Sequence, residues 1–323
     1  MDTHNKNGFI LYVLNILKKY SDENHILSSN RIVELIKEEY NETIDKKTVV
    51  NYIKLLTNKF HYDIDMFQNN KKGYYLKEGL DTDFTLGELS AIINTFAYSN
   101  FIPEIMSNNI TDKCLNMMNI YEREKYKDYK PIMKDTKTDN MQIIKNIEDI
   151  NEAIYQHKKI KFDYCKYKIN NSKLEKDSHP ACVSPYKLVY SLQKFYLICK
   201  KEDEKILRYY RLDKMLNVEI LKKKVDNKVS QKQIDDFIKN NVNMFSGTLI
   251  KAEIECDNSI LDMVVETYGK DIVLKELPNN KFYASFITTL QGFKYWCLRN
   301  IDTVKVLSPE KLINEINELI NKK

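Results

Sequence analysis

Glycine is scarce in this chain, seven in 323 residues. That leaves little from which to build a phosphate cradle, and neither G-x-G-x-x-G nor G-x-x-x-x-G-K-[ST] occurs. Five scattered histidines include no H-E-x-x-H, so an ordinary hydrolytic zinc site has no donor set. The six cysteines, Cys114, Cys165, Cys182, Cys199, Cys256 and Cys297, form no C-x-x-C pair. Reduced thiols are therefore expected in place of a disulfide framework. No apolar run reaches transmembrane length, and no basic-then-apolar leader opens the sequence. These absences lead us to expect a cytoplasmic protein that is not an enzyme, with no catalytic residues, no metal and no cofactor.

What is present is charge, unevenly placed. Residues 1–80 carry 12 Lys and Arg against 11 Asp and Glu, a net of +1, and residues 81–154 carry 8 against 13, a net of −5. Residues 155–224 carry 18 against 8, a net of +10, while residues 225–323 carry 13 against 14, a net of −1. The overall +5 thus conceals one strongly basic module. Such a field on a small domain favours a polyanionic partner.

The first 80 residues read as three short helices and a hairpin. Apolar positions recur at helical spacing in FILYVLNILKKY, then in SSNRIVELIKEEY, then in DKKTVVNYIKLLTNKF. HYDIDMFQNNKKGYYL follows as two strands around an Asn/Lys/Gly turn. This order spells a winged helix-turn-helix. On the third helix Val49, Ile53 and Leu56 form the inner face. Lys46, Lys47, Thr48, Asn51 and Lys54 offer phosphate contacts and groove-edge hydrogen bonds, and Lys71 and Lys72 at the wing tip would hold the backbone of an adjacent groove. Residues 81–140 read as an acidic helical linker that also dimerises.

From 141 to 224 a helix gives way to short strands, KIKFDYC, SPYKLVY, KFYLICK and KILRYYRL, separated by polar turns. Four or five strands in so short a span suggest a small closed barrel. In LRYYRLDK a period of two sends Arg208 and Tyr210 to one side and Tyr209 and Arg211 to the other. Arginine binds phosphate in bidentate fashion and stacks on bases, and tyrosine adds a ring face and a hydroxyl. Candidate ligand-binding residues are Arg208, Arg211, Tyr196, Tyr186 and Ser184, with Lys187 and His179 at the rim. Which arginine meets the ligand stays open, because the two face opposite ways.

Three stretches in order, Ser184-Pro185-Tyr186, Phe195-Tyr196-Leu197 and Arg208 to Lys214, resemble the WYL domain of bacterial transcription regulators. Phe195 stands where that family has tryptophan, and Lys214 where it usually has arginine. The resemblance extends to the N-terminal winged helix and to a C-terminal extension similar to 249–323. It implies an Sm/SH3-like β-barrel whose basic pocket senses nucleic acid or a nucleotide-like molecule, in a homodimer that controls promoters.

Residues 225–323 read as a small α+β sandwich. The expected fold class is thus α+β multidomain, with a winged helix-turn-helix (1–80), helical linker (81–140), WYL barrel (141–224) and C-terminal α+β extension (225–323). The expected partners are double-stranded promoter DNA and a polyanionic effector, either single-stranded nucleic acid or a nucleotide. An alternative reading has the protein act on nucleotides or RNA with the barrel as its active or binding site.

Overall fold

The computed structural model describes residues 8–67, 73–77, 84–126, 136–202, 204, 206–225, 229–241, 244–245 and 247–321. It is a mixed α+β structure that divides into two units, 1–137 and 138–323. Among the described residues no helix is long and apolar enough to cross a membrane.

The first unit begins with α1 (Phe9–Tyr20), α2 (Ser29–Tyr40) and α3 (Lys46–Phe60). Helix α2 starts where Ser28 Oγ accepts the Arg31 amide at 3.1 Å, and it ends at Asn41, which adopts a left-handed conformation. Helix α3 starts where Asp45 Oδ1 accepts the Thr48 amide at 2.9 Å, and it ends at His61, also left-handed. Apolar residues at helical spacing bring Val13, Ile16 and Leu17 of α1 against Ile32 and Ile36 of α2 and Val49, Ile53 and Leu56 of α3. Strands β1 (Ile64–Phe67) and β2 (Gly73–Leu76) then pair antiparallel, with Ile64 opposite Leu76, and Leu76 closes the same core. Tyr74 also exchanges backbone hydrogen bonds with Leu27, at 2.9 and 2.8 Å. That approach requires glycine at position 73. A Cβ there would stand 2.5 Å from Ile26 Cγ2 and 2.8 Å from the Leu27 carbonyl oxygen. Helices α4 (Leu86–Tyr98), α5 (Glu104–Asn116) and α6 (Ile120–Lys125) complete this unit, with Leu89, Ile93, Cys114 and Leu115 in a smaller core.

The second unit opens with α7 (Ile143–Tyr155), followed by β3 (Lys158–Asn170), β4 (Lys173–Ser191), β5 (Lys194–Lys201), β6 (Arg208–Arg211) and β7 (Met215–Lys224). All pairs are antiparallel, in the order β6-β5-β4-β3-β7. The closed barrel expected over 141–224 is not found, since among the described residues no ladder joins β6 to β7. Strand β6 has only four residues, and a 3-10 turn at 212–214 carries the chain to the far edge, where β7 pairs with β3. Asn140 of the segment before α7 pins that turn by donating to the carbonyls of Leu212, Asp213 and Met215.

A second difference lies in the expected polar turns. Most of 166–183 is strand, paired from Lys166 opposite Asp177 to Asn170 opposite Lys173. The hairpin turns on Asn171 and Ser172, both with positive φ.

After α8 (Gln231–Asn240) come β8 (Leu249–Asp257), α9 (Leu261–Tyr268), β9 (Val273–Leu277), β10 (Lys281–Thr289), α10 (Leu290–Arg299), β11 (Val304–Ser308) and α11 (Glu310–Asn321). The sheet order β11-β8-β10-β9 is that of a split β-α-β arrangement. Trp296 and Phe293 of α10 pack beneath it with Phe286 and Ile254.

Candidate functional site

Two polar surfaces, one in each unit, hold the residues singled out from the sequence. On α3, Lys46, Lys47, Asn51 and Lys54 are exposed on the face away from Val49, Ile53 and Leu56. Thr48 is half-buried and committed locally, its hydroxyl donating to the Asp45 carboxylate that caps the helix. The same hydroxyl and the Thr48 amide hold the Asp45 carboxyl below its ordinary range. Lys71 and Lys72 lie outside the described residues.

In the second unit, strands β3, β4 and β6 frame a cleft of about 340 Å³. Register explains its composition. Tyr164 of β3 stands opposite His179 of β4, and the ring of Tyr210 of β6 meets Tyr164 edge-on at 4.8 Å. Tyr210 also meets Phe162 at 5.2 Å, so ring contacts cross the side of the sheet that has no ladder. Lys166, His179, Lys201 and Arg208 line the cleft with Tyr164, Tyr209 and Tyr210. No carboxylate belongs to this lining. Burial pushes the Tyr164 and Tyr210 hydroxyls up, which keeps them protonated and able to donate at neutral pH. Arg208 is partly exposed, and its Nε donates to the carboxylate of Glu204 just outside the lining.

Arg211 points elsewhere, as the strand period requires. Its Nε and Nη2 donate to the two Asp213 oxygens at 3.0 and 2.7 Å, and Lys194 Nζ lies 3.1 Å from Asp213 Oδ2. Burial raises the Asp213 carboxyl, but Arg211 and Lys194 outweigh it and leave the group below its ordinary range. Burial, aided by the Arg211 charge, lowers the neighbouring Lys214. Tyr209 lies on this side too, stacked on Phe237 of α8 at 4.6 Å and edge-on to Tyr196 at 6.0 Å.

Of the ligand residues read from the sequence, the structure brings Arg208 and His179 into one cleft. Tyr196 and Arg211 are paired across β5 and β6 on the opposite side. Ser184 is buried, Tyr186 is half-buried, and Lys187 lies 3.7 Å from Asp235 of α8. Sequence reasoning missed Tyr164, Lys166, Lys201 and Tyr210 as cleft residues. Tyr164 stood in a visible alternation, but its meeting with β6 depends on register.

Among the described residues no group of three or more His, Cys, Asp or Glu side chains is placed to hold a metal ion. Five of the six cysteines are buried and none forms a disulfide.

A cation-rich, tyrosine-walled cleft on an antiparallel sheet defines an anion-binding module. Residues 145–220, which carry it, match the family described as WYL domain, so this part of the chain is a WYL domain. No curated protein matches the chain. Two solved structures are similar to it. Proteasome accessory factor B/C (PafBC) of Arthrobacter aurescens shares 14% identity over 97% of this chain and 47% of its own, with a TM-score of 0.28. The chain thus spans about half the length of that protein. A CRISPR Cas-related protein shares 16% identity over 100% of this chain and 86% of its own, with a TM-score of 0.37.

Proposed function

We propose that this chain is a ligand-responsive, DNA-binding transcription regulator. In this reading residues 1–80 are a winged helix-turn-helix whose α3 enters the major groove. Residues 81–140 link and dimerise, 141–224 form a partly open Sm-like module that senses a polyanion, and 225–323 form the C-terminal extension. The effector is single-stranded nucleic acid or a nucleotide.

The observation that carries the reading is the cleft of Arg208, Lys166, Lys201 and His179 walled by tyrosines, inside a module of net charge +10. Guanidinium and ammonium groups supply phosphate contacts, and tyrosine faces accept stacked bases. An incoming phosphate would take Arg208 from Glu204, exchanging an internal anion for an external one. Binding shifts the regulator only so far as the effector prefers one of its arrangements.

Fluorescence anisotropy of a labelled duplex from the gene's own upstream region tests this. The expected result is duplex binding that shifts when short single-stranded DNA is added, and a shift lost in Arg208→Ala with Arg211→Ala. A double variant that responds in full would remove the sensing assignment. No binding to any upstream duplex, with binding to RNA, would favour a protein acting on RNA.

A further inference from the structure

A second cleft, of about 500 Å³, lies where the residues leading into β6 meet α8 and the start of β8. It shares no lining residue with the basic cleft. Its walls are mostly apolar, built from Leu207, Phe237 and Leu249 among others. Ile206 and Leu249 are more than half exposed there, at 58% and 51%, apolar surface that an occupant would cover. The volume falls within the range of small-molecule sites, which are mostly apolar with a few polar groups that fix orientation. The charged side chains of its lining, Lys200 and Asp236, balance, so the cleft favours neither an anion nor a cation.

Asn241 supplies the polar group. It is 6% exposed and lines the cleft. Its Nδ2 donates to the Phe237 carbonyl, which fixes the amide, while its Oδ1 is buried and meets no donor. Buried polar atoms are nearly always matched, and leaving one bare costs about 1–3 kcal/mol. An occupant bearing a donor would remove that cost.

We propose that this cleft binds a small, uncharged, mostly apolar molecule carrying one N–H or O–H donor, received by Asn241 Oδ1. The site stands independently of the regulator reading. Its position nevertheless gives it a route to the basic cleft, because Phe237 in its wall stacks on Tyr209, the neighbour of Arg208.

Ligand-observed NMR titrations of the full chain with indole and N-methylindole test the assignment. Both probes are uncharged and differ only in the donor, and the cleft has room for the added methyl. Indole is expected to bind saturably, and N-methylindole at least about fivefold more weakly, the loss of one hydrogen bond to a buried acceptor. Gly247 lines the cleft, and a Cβ built on it meets nothing within 4 Å. Gly247→Leu should therefore fill the space, abolish indole binding and leave the melting temperature unchanged. Asn241→Leu should bring the two probes to equal affinity. Equal affinities for the wild type, no saturable indole binding, or indole binding unchanged in Gly247→Leu would each overturn the proposal.

Discussion

Asp213→Asn removes the charge that holds two cations together while keeping the shape of the side chain. The Asp213 side chain is only 7% exposed, Lys194 is 15% exposed and Arg211 is 35% exposed. In the variant one amide faces Arg211 and Lys194, with Lys214 beside them and no carboxylate between. Breaking a buried ion pair costs about 3–5 kcal/mol. Water reaches Arg211 and screens part of that, so about 2–3 kcal/mol is expected. At roughly 2–4 °C per kcal/mol for a unit of this size, the transition of residues 138–323 should fall by roughly 5–10 °C.

The pH dependence gives a sharper check. Asp213 has a folded pKa below its unfolded value of about 3.9, so its stabilisation is present above that value. It is lost as pH falls through the lower, folded value. The gap between wild type and Asp213→Asn should thus stay constant from about pH 7 to 5 and close only in stronger acid. Calorimetric melts across that range provide the assay, because they separate the transitions of two units. A gap under about 1 °C at neutral pH, or one that closes near pH 6, would refute the reasoning.

Other outcomes follow from single contacts. Glu204→Gln frees Arg208 of its internal anion, so labelled single-stranded DNA should bind up to about fivefold more tightly, the worth of a partly exposed pair. Unchanged or weaker binding would mean that Glu204 does not compete. Lys47→Ala with Lys54→Ala removes two exposed cations from α3, and the slope of log affinity for duplex against log salt should flatten by about 2. An unchanged slope would take α3 off the DNA. Gly73→Ala forces a Cβ onto the Leu27 backbone and should cost the first unit about 1–3 kcal/mol, read as a lower melting transition. An unmoved transition would show that the strand can shift aside.

Legibility in the sequence followed solvent exposure. Helices α1, α2 and α3 each bury one stripe, so their apolar residues fell at helical spacing and their caps stood at the predicted ends. The elements of 249–321 were readable for the same reason, since their strands alternate against the core that holds Trp296. The outer part of the β3–β4 hairpin failed this test. Residues 166–178 are largely exposed on both faces, with Lys168, Glu175 and Asp177 placed without regard to a core, so period two was invisible. The remaining signal was the turn at Asn171 and Ser172. Helix α8 was missed although Ser230 and Gln233 form a capping box that marks its start. Its single buried residue, Ile234, gave too little stripe to see. The cleft was half legible for a related reason. LRYYRLDK fixed the alternation of Arg208 and Arg211, and the structure keeps it, with Arg208 in the cleft and Arg211 bound to Asp213 on the other side. The partners of Arg208 come from β3 and β4, whose register is set by that long polar hairpin. A strand can therefore declare which way its side chains point while its neighbours, and hence the chemistry they make together, are decided by a segment with no core to betray it.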